Sequence, residues 1–487
     1  MLLRWGRAAV LFGVCVLAVP AGARAFAPTD PLAQRQWYLT QIHAFDAWPT
    51  PPVNPSPVRV AVLDSGIDGS HPEFAGKIAA AKSFVDRSPL TDEEGHGTFV
   101  AGEIAATIDN GAGIAGVAPS AQLVIAKIVG ADGSISPSGE AAAIRWAVEQ
   151  GARVINLSLG GLRDPNDPRR DSYSPAEAAA VRDAVAHGAV VVAAVGNGDQ
   201  APSQPWPYAS YPAALPHVIG VSALNQDGSV PDFSNRDPLL NDIAAPGVDI
   251  ISTFPRSLTA ARPACPDQGY SDCAADAYRF AQGTSFAAPL VSAAAADLLS
   301  IDPSLQPDQV SFLLERNADD VGPADACPAC GAGRDALTGW GRLDIAKAIA
   351  TLRAGQIPPA DRFEPNDEAG NQAYPLYGAQ RRVSATVDFW DNPIDVYRVY
   401  LRRGQAISAT LEGGSATALS LWNPGTITVS GAGASRRNLA VRAGGNGSLK
   451  RLAYTARQAG WYYLDVAASA PSFTAYTLAF TKPAIPR

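Results

Sequence analysis

Four polar side chains in this 487-residue sequence have the chemistry of a nucleophilic site. Asp64 directly follows the apolar run VAVL, His96 lies between two glycines in EEGHGTFVAG, Asn197 follows VVVAAVG, and Ser285 lies in AQGTSFAAP. A serine hydroxyl becomes a nucleophile when a base takes its proton and a carboxylate orients that base. A side-chain amide can then donate to the oxyanion that forms. Together these residue types predict acyl transfer, provided that the fold brings them together.

Each of these residues also has a simpler explanation. Ser285 precedes a run of small residues and could simply cap a helix. Asp64 begins Asp-Ser-Gly, which suits a turn and is also the triplet of aspartic proteases, although that chemistry needs two such carboxylates and the chain has one copy. A lone histidine is often a solvated or core residue, and Asn-Gly is a common turn.

The elements that would position these residues alternate along the chain from about Val58. The runs VRVAVLD, LVIAKIV, VINLSL, AVVVAAV and HVIGVSA are apolar and β-branched, and HGTFVAGEIAAT, SGEAAAIRWAVEQ and SPAEAAAVRDAVAHG between them are typical of helices. Such continuous apolar strands predict an α/β fold whose mostly parallel sheet has helices on both faces. Ser174, Pro175 and Glu177 predict a capping box for the last helix. Active groups of such sheets gather beyond the carboxyl ends of the strands.

The pattern changes near Gly355. AGQIPPADRFEPNDEAGNQ is rich in Pro, Gly and acidic residues, and short alternating segments follow it. We expect a signal peptide at 1–25, an α/β domain at 26–354, a linker at 355–370 and an all-β sandwich domain at 371–487.

Composition limits the classes of partner and the compartment. The first residues combine Arg4 and Arg7, an apolar run from Ala8 to Ala18 and the small-x-small site Ala23-Arg24-Ala25, which predicts a cleaved signal peptide and an exported protein with no membrane span after cleavage. The net charge of −8 becomes −11 without the leader's three arginines. No basic stripe is present, which argues against a nucleic-acid partner.

Four cysteines remain after removal of the leader, an even number that favours disulfides in an exported protein. The local pairs Cys265–Cys273 and Cys327–Cys330 are the simplest of three connectivities. The run CPAC could also be a redox pair or half of a zinc site. However, the zinc site would need a second nearby Cys or His pair, and no thioredoxin-like context surrounds the motif.

Taken in order, VAVLDSGIDGSHPEF, GHGTFVAG, AAVGN and GTSFAAP resemble the subtilases, the subtilisin-like serine proteases, from roughly Gln36 to Leu352. The resemblance implies that Ser285 is the nucleophile, His96 the general base and Asp64 the carboxylate that holds the imidazole. Asn197 would be the oxyanion donor. The resemblance implies a secreted serine endopeptidase that needs no cofactor for catalysis.

The resemblance extends to substrates and further partners. Ser158, Leu159 and Gly160 match the family's substrate-binding strand, to which an extended peptide adds by main-chain hydrogen bonds, so broad specificity with an apolar preference is expected. An ordinary strand end would explain the same residues. The implied partners are protein or peptide substrates, and the resemblance also allows a protein inhibitor as a partner. The enzyme is expected to be a monomer.

Some positions depart from the family or leave two explanations. Phe99 and Phe286 stand where many relatives have His and Met. Calcium is common in the family, and Asp30, Glu73 and Asn110 lie near positions of one such site, but surface acids and turn residues explain them equally well. The tail, with FEPND and an Asp-x-Tyr strand, resembles the bacterial pre-peptidase C-terminal domain. The rival hypotheses are an inactive subtilase scaffold used for binding and an aspartic protease built on Asp64.

Overall fold

The computed structural model describes residues 26–48, 56–259, 270–272, 277–431, 433–444 and 447–483. Its centre is a parallel sheet of seven strands. The strands are β1 (Arg59–Asp64), β2 (Ile78–Ser83), β3 (Gln122–Lys127), β4 (Val154–Leu157), β5 (Val190–Ala194), β6 (Val218–Leu224) and β7 (Ile243–Pro246). Their order across the sheet is β2-β3-β1-β4-β5-β6-β7. The predicted α/β fold class is therefore confirmed.

The central strands are buried on both faces because helices cover them. All residues of β4, β5, β6 and β7 are buried. On one side of the sheet, helices α4 (Pro137–Glu149) and α5 (Pro175–Ala186) pack over residues of β1, β3, β4 and β5. On the other side lie α3 (His96–Ala105) and α7 (Thr284–Ile301), which contact each other. Burial on two faces explains why these strands read as continuous apolar runs. The other helices are α1 (Trp37–Gln41), α2 (Ala44–Ala47), α6 (Arg256–Thr259), α8 (Pro307–Glu315) and α9 (Ile345–Arg353).

Helix α5 begins as its sequence predicts, with one difference. The Ser174 hydroxyl accepts from the backbone N–H of Glu177 at 3.2 Å, which is the cap. The difference is that the Glu177 carboxyl contacts Glu140 of α4 instead of completing the predicted capping box. Burial, together with the neighbouring Glu177, raises the pKa of Glu140 to about 9, so this carboxyl carries a proton at neutral pH.

Helix α7 is long and apolar enough to cross a membrane by composition, but 89% of it is buried inside the protein. It is the core helix of the fold. Pro289 lies within it and has no N–H to donate, so the carbonyl four residues earlier, that of Ser285, has no helical partner there.

A three-stranded antiparallel sheet follows the central sheet. It consists of β8 (Ile250–Thr253), β9 (Tyr270–Asp272) and β10 (Tyr278–Ala281), in the order β8-β10-β9. The predicted disulfide Cys327–Cys330 is confirmed. The predicted Cys265–Cys273 pair and the signal peptide at 1–25 lie outside the described residues.

Two further sheets face each other in the C-terminal part, as the alternating pattern predicts. The strands are β11 (Tyr374–Pro375), β12 (Gln380–Asp388), β13 (Ile394–Leu401), β14 (Ala406–Glu412), β15 (Thr417–Trp422), β16 (Leu439–Arg442), β17 (Leu449–Thr455), β18 (Gly460–Ala468) and β19 (Phe473–Thr481). One sheet has the order β11-β13-β18-β15-β16 and the other β12-β19-β14-β17. The shared core includes Tyr397, Leu411, Leu464 and Leu478.

Candidate active site

Asp64 and His96 meet at the carboxyl edge of the central sheet. Asp64 is the last residue of β1 and His96 the first residue of α3. The imidazole Nδ1 lies 2.9 Å from both carboxylate oxygens of Asp64, which is buried. Because an ionised carboxylate can only accept, Nδ1 carries the proton and Nε2 is left as the basic nitrogen. Burial disfavours the charged imidazole, but the Asp64 carboxylate outweighs it and the pKa of His96 is raised above its usual value.

A second buried carboxylate, Asp92, fixes the start of α3. Gly95 precedes the helix with a φ of 93° and supplies no side-chain cap. Asp92 takes over this role by accepting from the N–H groups of Gly95 at 2.8 Å and Thr98 at 2.8 Å. It also accepts from the hydroxyl of Ser65 at 2.8 Å, and that hydroxyl accepts from the N–H of Gly97 at 2.9 Å. The network therefore ties the end of β1 to the helix that carries the histidine.

Two aromatic rings lie behind the imidazole. The ring of Phe286 is centred 5.2 Å from that of His96 and 4.6 Å from that of Phe99. Phe99 and Phe286 are both buried. The resemblance leads us to expect His and Met at these positions in many relatives, and here the two rings fill the space around the imidazole.

Ser285 is the second residue of α7 and is partly exposed. Its neighbour Phe286 contacts His96, so the hydroxyl-bearing residue and the imidazole lie on adjoining elements. Ser285 lines a cavity of about 110 Å³ together with Asn197, Gly160 and Leu159. A second cavity, of about 180 Å³, contains His96, Asp64 and the same Leu159. The two cavities thus adjoin through Leu159.

The side-chain amide of Asn197 has a fixed orientation. Its Oδ1 accepts from both the N–H and the hydroxyl of Thr284, each at 2.9 Å. Since a backbone N–H can only donate, the oxygen must face Thr284 and the NH₂ group the cavity. The NH₂ group also meets the carboxylate of Asp199, whose pKa burial raises and this hydrogen bond lowers in part. The amide is therefore a preorganised donor beside Ser285.

The predicted substrate strand continues β4 and is tied to the helix that carries Ser285. Ser292 of α7 donates to Oδ1 of Asn156 at 2.8 Å, and Nδ2 of Asn156 donates to the hydroxyl of Ser158 at 2.9 Å. These three side chains are buried. Gly161 exchanges backbone hydrogen bonds with Tyr211 at 2.8 and 3.0 Å, so the chain after Gly160 is held against the segment around Tyr211.

The residues predicted near a calcium site do meet. Asp30 accepts from the N–H groups of Asp109 at 2.8 Å and Asn110 at 3.1 Å, and the Asn110 amide donates to Glu73 at 2.8 Å. Glu73 also accepts from the hydroxyl of Tyr278 at 2.9 Å. Burial raises the pKa of Glu73 to about 7, and Asp30 adds to this effect. Two adjacent buried carboxylates are oxygen ligands of the kind that Ca²⁺ prefers, whereas Asn110 turns its NH₂ group to Glu73 and its carboxamide oxygen to the N–H of Ala112.

Three other groups could hold a cation among the described residues, since their ligand atoms lie within 4.8 Å of one another. They are His43 with Asp319 and Asp344, His217 with Glu364 and Asp367, and Asp361 with Glu364 and Asp395.

The structure brings the four residues singled out in the sequence to one edge of the sheet, with Ser158–Gly160 beside them. The Asp64 carboxylate pairs with an imidazole and not with a second carboxylate, which contradicts the dyad of an aspartic protease. Sequence reasoning missed Asp92 and Thr284. The only available signals were an acidic residue four positions before His96 and a Thr directly before Ser285.

Comparison with known proteins places this geometry in context. Residues 56–341 match the model of the family described as the subtilase family, Peptidase S8. The chain is 37% identical over 266 residues to subtilisin DY of Bacillus licheniformis, covering 54% of this chain and 85% of that protein. It is 33% identical over 334 residues to halolysin of Haloferax mediterranei, covering 67% of this chain but only 55% of halolysin.

Among solved structures, a protease from Pseudoalteromonas arctica is similar, with a TM-score of 0.54 and 27% identity. The similarity covers 67% of this chain and 99% of that one.

Proposed function

We propose that this chain, which belongs to the subtilase family of serine proteases, is an exported endopeptidase that cleaves peptide bonds through Asp64, His96 and Ser285. The observation that carries the proposal is the pairing of His96 Nδ1 with both oxygens of Asp64 at 2.9 Å. That pairing leaves Nε2 basic on the element that adjoins Ser285.

The chemistry follows from this arrangement. The hydroxyl of Ser285 attacks the peptide carbonyl while His96 takes its proton, and Asp64 stabilises the imidazolium that forms. The negative oxygen of the tetrahedral intermediate accepts from the Asn197 amide and from the backbone N–H of Ser285, which is unpaired at the start of α7. His96 then protonates the leaving amine, and water repeats the sequence on the acyl-enzyme.

Substrate preference is proposed from the cavity beside Ser285. Its wall includes Leu159, Leu162 and Ala194, which supports a preference for apolar side chains. An extended peptide would add along Ser158–Gly160 through main-chain hydrogen bonds, which supports broad tolerance of sequence. Cleavage-site profiling on a denatured proteome tests this preference. A requirement for one fixed sequence would contradict it.

Calcium and the domain boundaries also remain proposals. Asp30, Glu73 and Asn110 are the residues that would hold a structural calcium ion, which would offset the repulsion between the two carboxylates. We further propose a peptidase domain at 26–354, a connection at 355–370 and a β domain at 371–487. The connection is packed rather than loose, because Asp361, Asn366 and Ala369 in it are buried.

The central experiment is labelling by a fluorophosphonate, which reacts with an activated serine. We expect one label per molecule in the parent and none in Ser285→Ala, while Ser292→Ala still reacts because Ser292 is buried and bonded to Asn156. Persistent labelling of Ser285→Ala would refute the assignment. An unlabelled but folded parent would favour the inactive scaffold.

A further inference from the structure

The C-terminal β domain has a charge opposite to that of the rest of the mature chain. Residues 371–487 contain 13 Lys and Arg but 5 Asp and Glu, whereas residues 26–370 contain 22 and 41. Three of the five acids, Asp388, Asp395 and Asp465, are buried. Asp391 pairs with Arg316 of the peptidase domain, and Glu412 pairs with Arg382. The surface of this domain is therefore strongly cationic.

Three aromatic rings, two of them exposed and the third half-buried, stand together at one end of the five-stranded sheet. Tyr400 of β13 and Trp461 of β18 are directly opposite in the strand register, and their ring centroids are 5.6 Å apart. Tyr377, which follows β11, is centred 6.2 Å from Trp461. Tyr377 is 64% exposed and Tyr400 is 44% exposed. We call Tyr377, Tyr400 and Trp461 the aromatic patch.

The ring of Trp461 is held in place. The Arg398 guanidinium lies 5.3 Å from the ring centroid, and its N–H donates to the carbonyl of Gly370 at 3.2 Å. Both tyrosine rings meet the indole edge to face, with interplanar angles of 80° and 79°. A ring that is fixed before binding loses little conformational entropy when a ligand covers it.

Exposed cations border the aromatic patch. Arg402 and Arg403 lie in the turn after β13, and Arg457 lies in the turn before β18. Backbone hydrogen bonds join the two turns, from Gly404 to Ala456 at 2.7 Å and from Ala456 to Gln405 at 2.9 Å. Within the described part of the chain, these three arginines form no ion pair, so their charges face solvent. Lys482 adds a fourth cation by donating to the carbonyl of Tyr400 at 2.9 Å.

We propose that the aromatic patch and its arginines bind a polysaccharide whose sugar rings carry carboxylates. The rings supply flat apolar faces with polar edges, which suit the C–H face and the hydroxyl groups of a sugar, and arginine pairs with carboxylates. A nucleic acid carries a denser line of charge and favours a cationic groove along its backbone, whereas here the cations lie on two turns.

The test uses the full mature chain in gels containing polygalacturonate or, as the uncharged counterpart, fully methyl-esterified pectin. We expect polygalacturonate to retard the parent and the esterified polymer to leave its mobility unchanged. Trp461→Ala and Tyr400→Ala should each weaken binding about fivefold, the loss of one aromatic contact. Arg402→Glu with Arg457→Glu should weaken it further, and added salt should weaken parent binding because surface charges are screened.

Matched controls are Ile427→Ala, an 81% exposed apolar side chain, and Arg451→Glu on the other sheet. Both should bind like the parent. Equal binding to the esterified polymer would overturn the proposal, as would unchanged binding in both aromatic variants. Tighter binding of single-stranded DNA than of polygalacturonate would also overturn it. Cleavage of a soluble peptide is a separate measurement, so failure of one proposal is distinguishable from failure of the other.

Discussion

At the scale of single residues, the site depends on side chains held in one orientation by neighbours far away in sequence. Asn197 is the clearest case, because Thr284 fixes its carbonyl oxygen and so aims its NH₂ group into the cavity. Asp64 likewise fixes the imidazole of His96, because its carboxylate accepts from Nδ1 and leaves Nε2 as the basic nitrogen. In both cases a group that can only donate or only accept removes the ambiguity of its partner.

Replacing Asn197 by Leu should lower kcat about 100- to 1000-fold, the loss that this donor is known to cause in subtilisins. KM should change little, because the amide acts on the oxyanion more than on the bound substrate. Steady-state kinetics on a peptide substrate measures both constants. Gln200→Leu, at the same cavity, is the control and should keep kcat within about twofold. A kcat unchanged in Asn197→Leu would refute the role.

The acid limb of the activity profile should report His96. The imidazole acts as a base only when it is neutral, so kcat/KM rises as pH rises through its pKa. Since Asp64 raises that pKa, the limb should lie above the usual histidine value of 6.5. Asp64→Asn should move the limb to lower pH and reduce kcat about 10,000-fold. A limb that stays in place in this variant would contradict the pairing.

At the scale of elements, strand ends and helix starts carry the site, and buried polar groups join them. Asp92 links the end of β1 to the start of α3, while Asn156 links β4 to α7. The motif around His96 is recognisable in the sequence because it is contiguous. Asp92 was missed because its role depends on Ser65, which lies 27 residues away and only the fold brings near.

Asp92→Ala should lower the free energy of unfolding by about 2 kcal/mol or more, because several buried donors lose their acceptor. It should also lower kcat, since α3 would no longer hold His96 in place. Denaturant unfolding and steady-state kinetics measure the two effects. Asp227→Ala removes a comparable turn contact on the surface and should change stability by less than about 0.5 kcal/mol. Equal effects in the two variants would refute this role of Asp92.

Calcium should stabilise the contact between the segment around Asp30 and the residues after α3. Added Ca²⁺ should raise Tm and a chelator should lower it, because the ion would offset repulsion between Asp30 and Glu73. Glu73→Gln should remove most of that response, whereas the exposed Glu149→Gln should retain it. Differential scanning calorimetry with and without the chelator is the measurement. A Tm that does not change when the chelator is added would contradict the proposed site.

At the scale of the whole molecule, buried polar groups join the proposed peptidase domain to the connection and to the proposed β domain. His217 is 3.2 Å from Asp308 of the same proposed domain and 3.0 Å from Asp367 of the connection. Arg316 pairs with Asp388 of the β domain and stacks 3.5 Å from the ring centroid of Trp340. Burial opposes charge on His217, but Asp367 and Asp308 raise its pKa well above the usual value.

The interface should weaken as pH rises. A histidine whose pKa is raised on folding stabilises fully below 6.5, its unfolded value, and this contribution is lost as pH rises through the folded pKa. The contribution of buried Glu364 to stability also falls as pH rises, because burial raises the pKa of its carboxyl. Calorimetry with chelator present should show one unfolding transition at about pH 6 and separate transitions at an alkaline pH above the folded pKa of His217.

His217→Leu should unfold in separate transitions already at about pH 6, because the variant lacks the charged imidazole. The exposed His187→Leu should behave like the parent at both values. An interface that gives a single transition at every pH in the parent would contradict this account.

Local patterning in the sequence is enough to predict the parallel sheet and its covering helices, because continuous apolar strands need cover on both faces. It also determined the residue types of the site, since the motifs around Asp64, His96, Asn197 and Ser285 are contiguous and carry their chemistry locally.

How distant residues meet depends on the packing of the whole fold. The pairs His96–Asp64, Thr284–Asn197 and His217–Asp367 span 32, 87 and 150 residues. The aromatic patch likewise depends on which strands become neighbours. Such contacts follow from the packing of whole elements, whose arrangement no short stretch of sequence encodes.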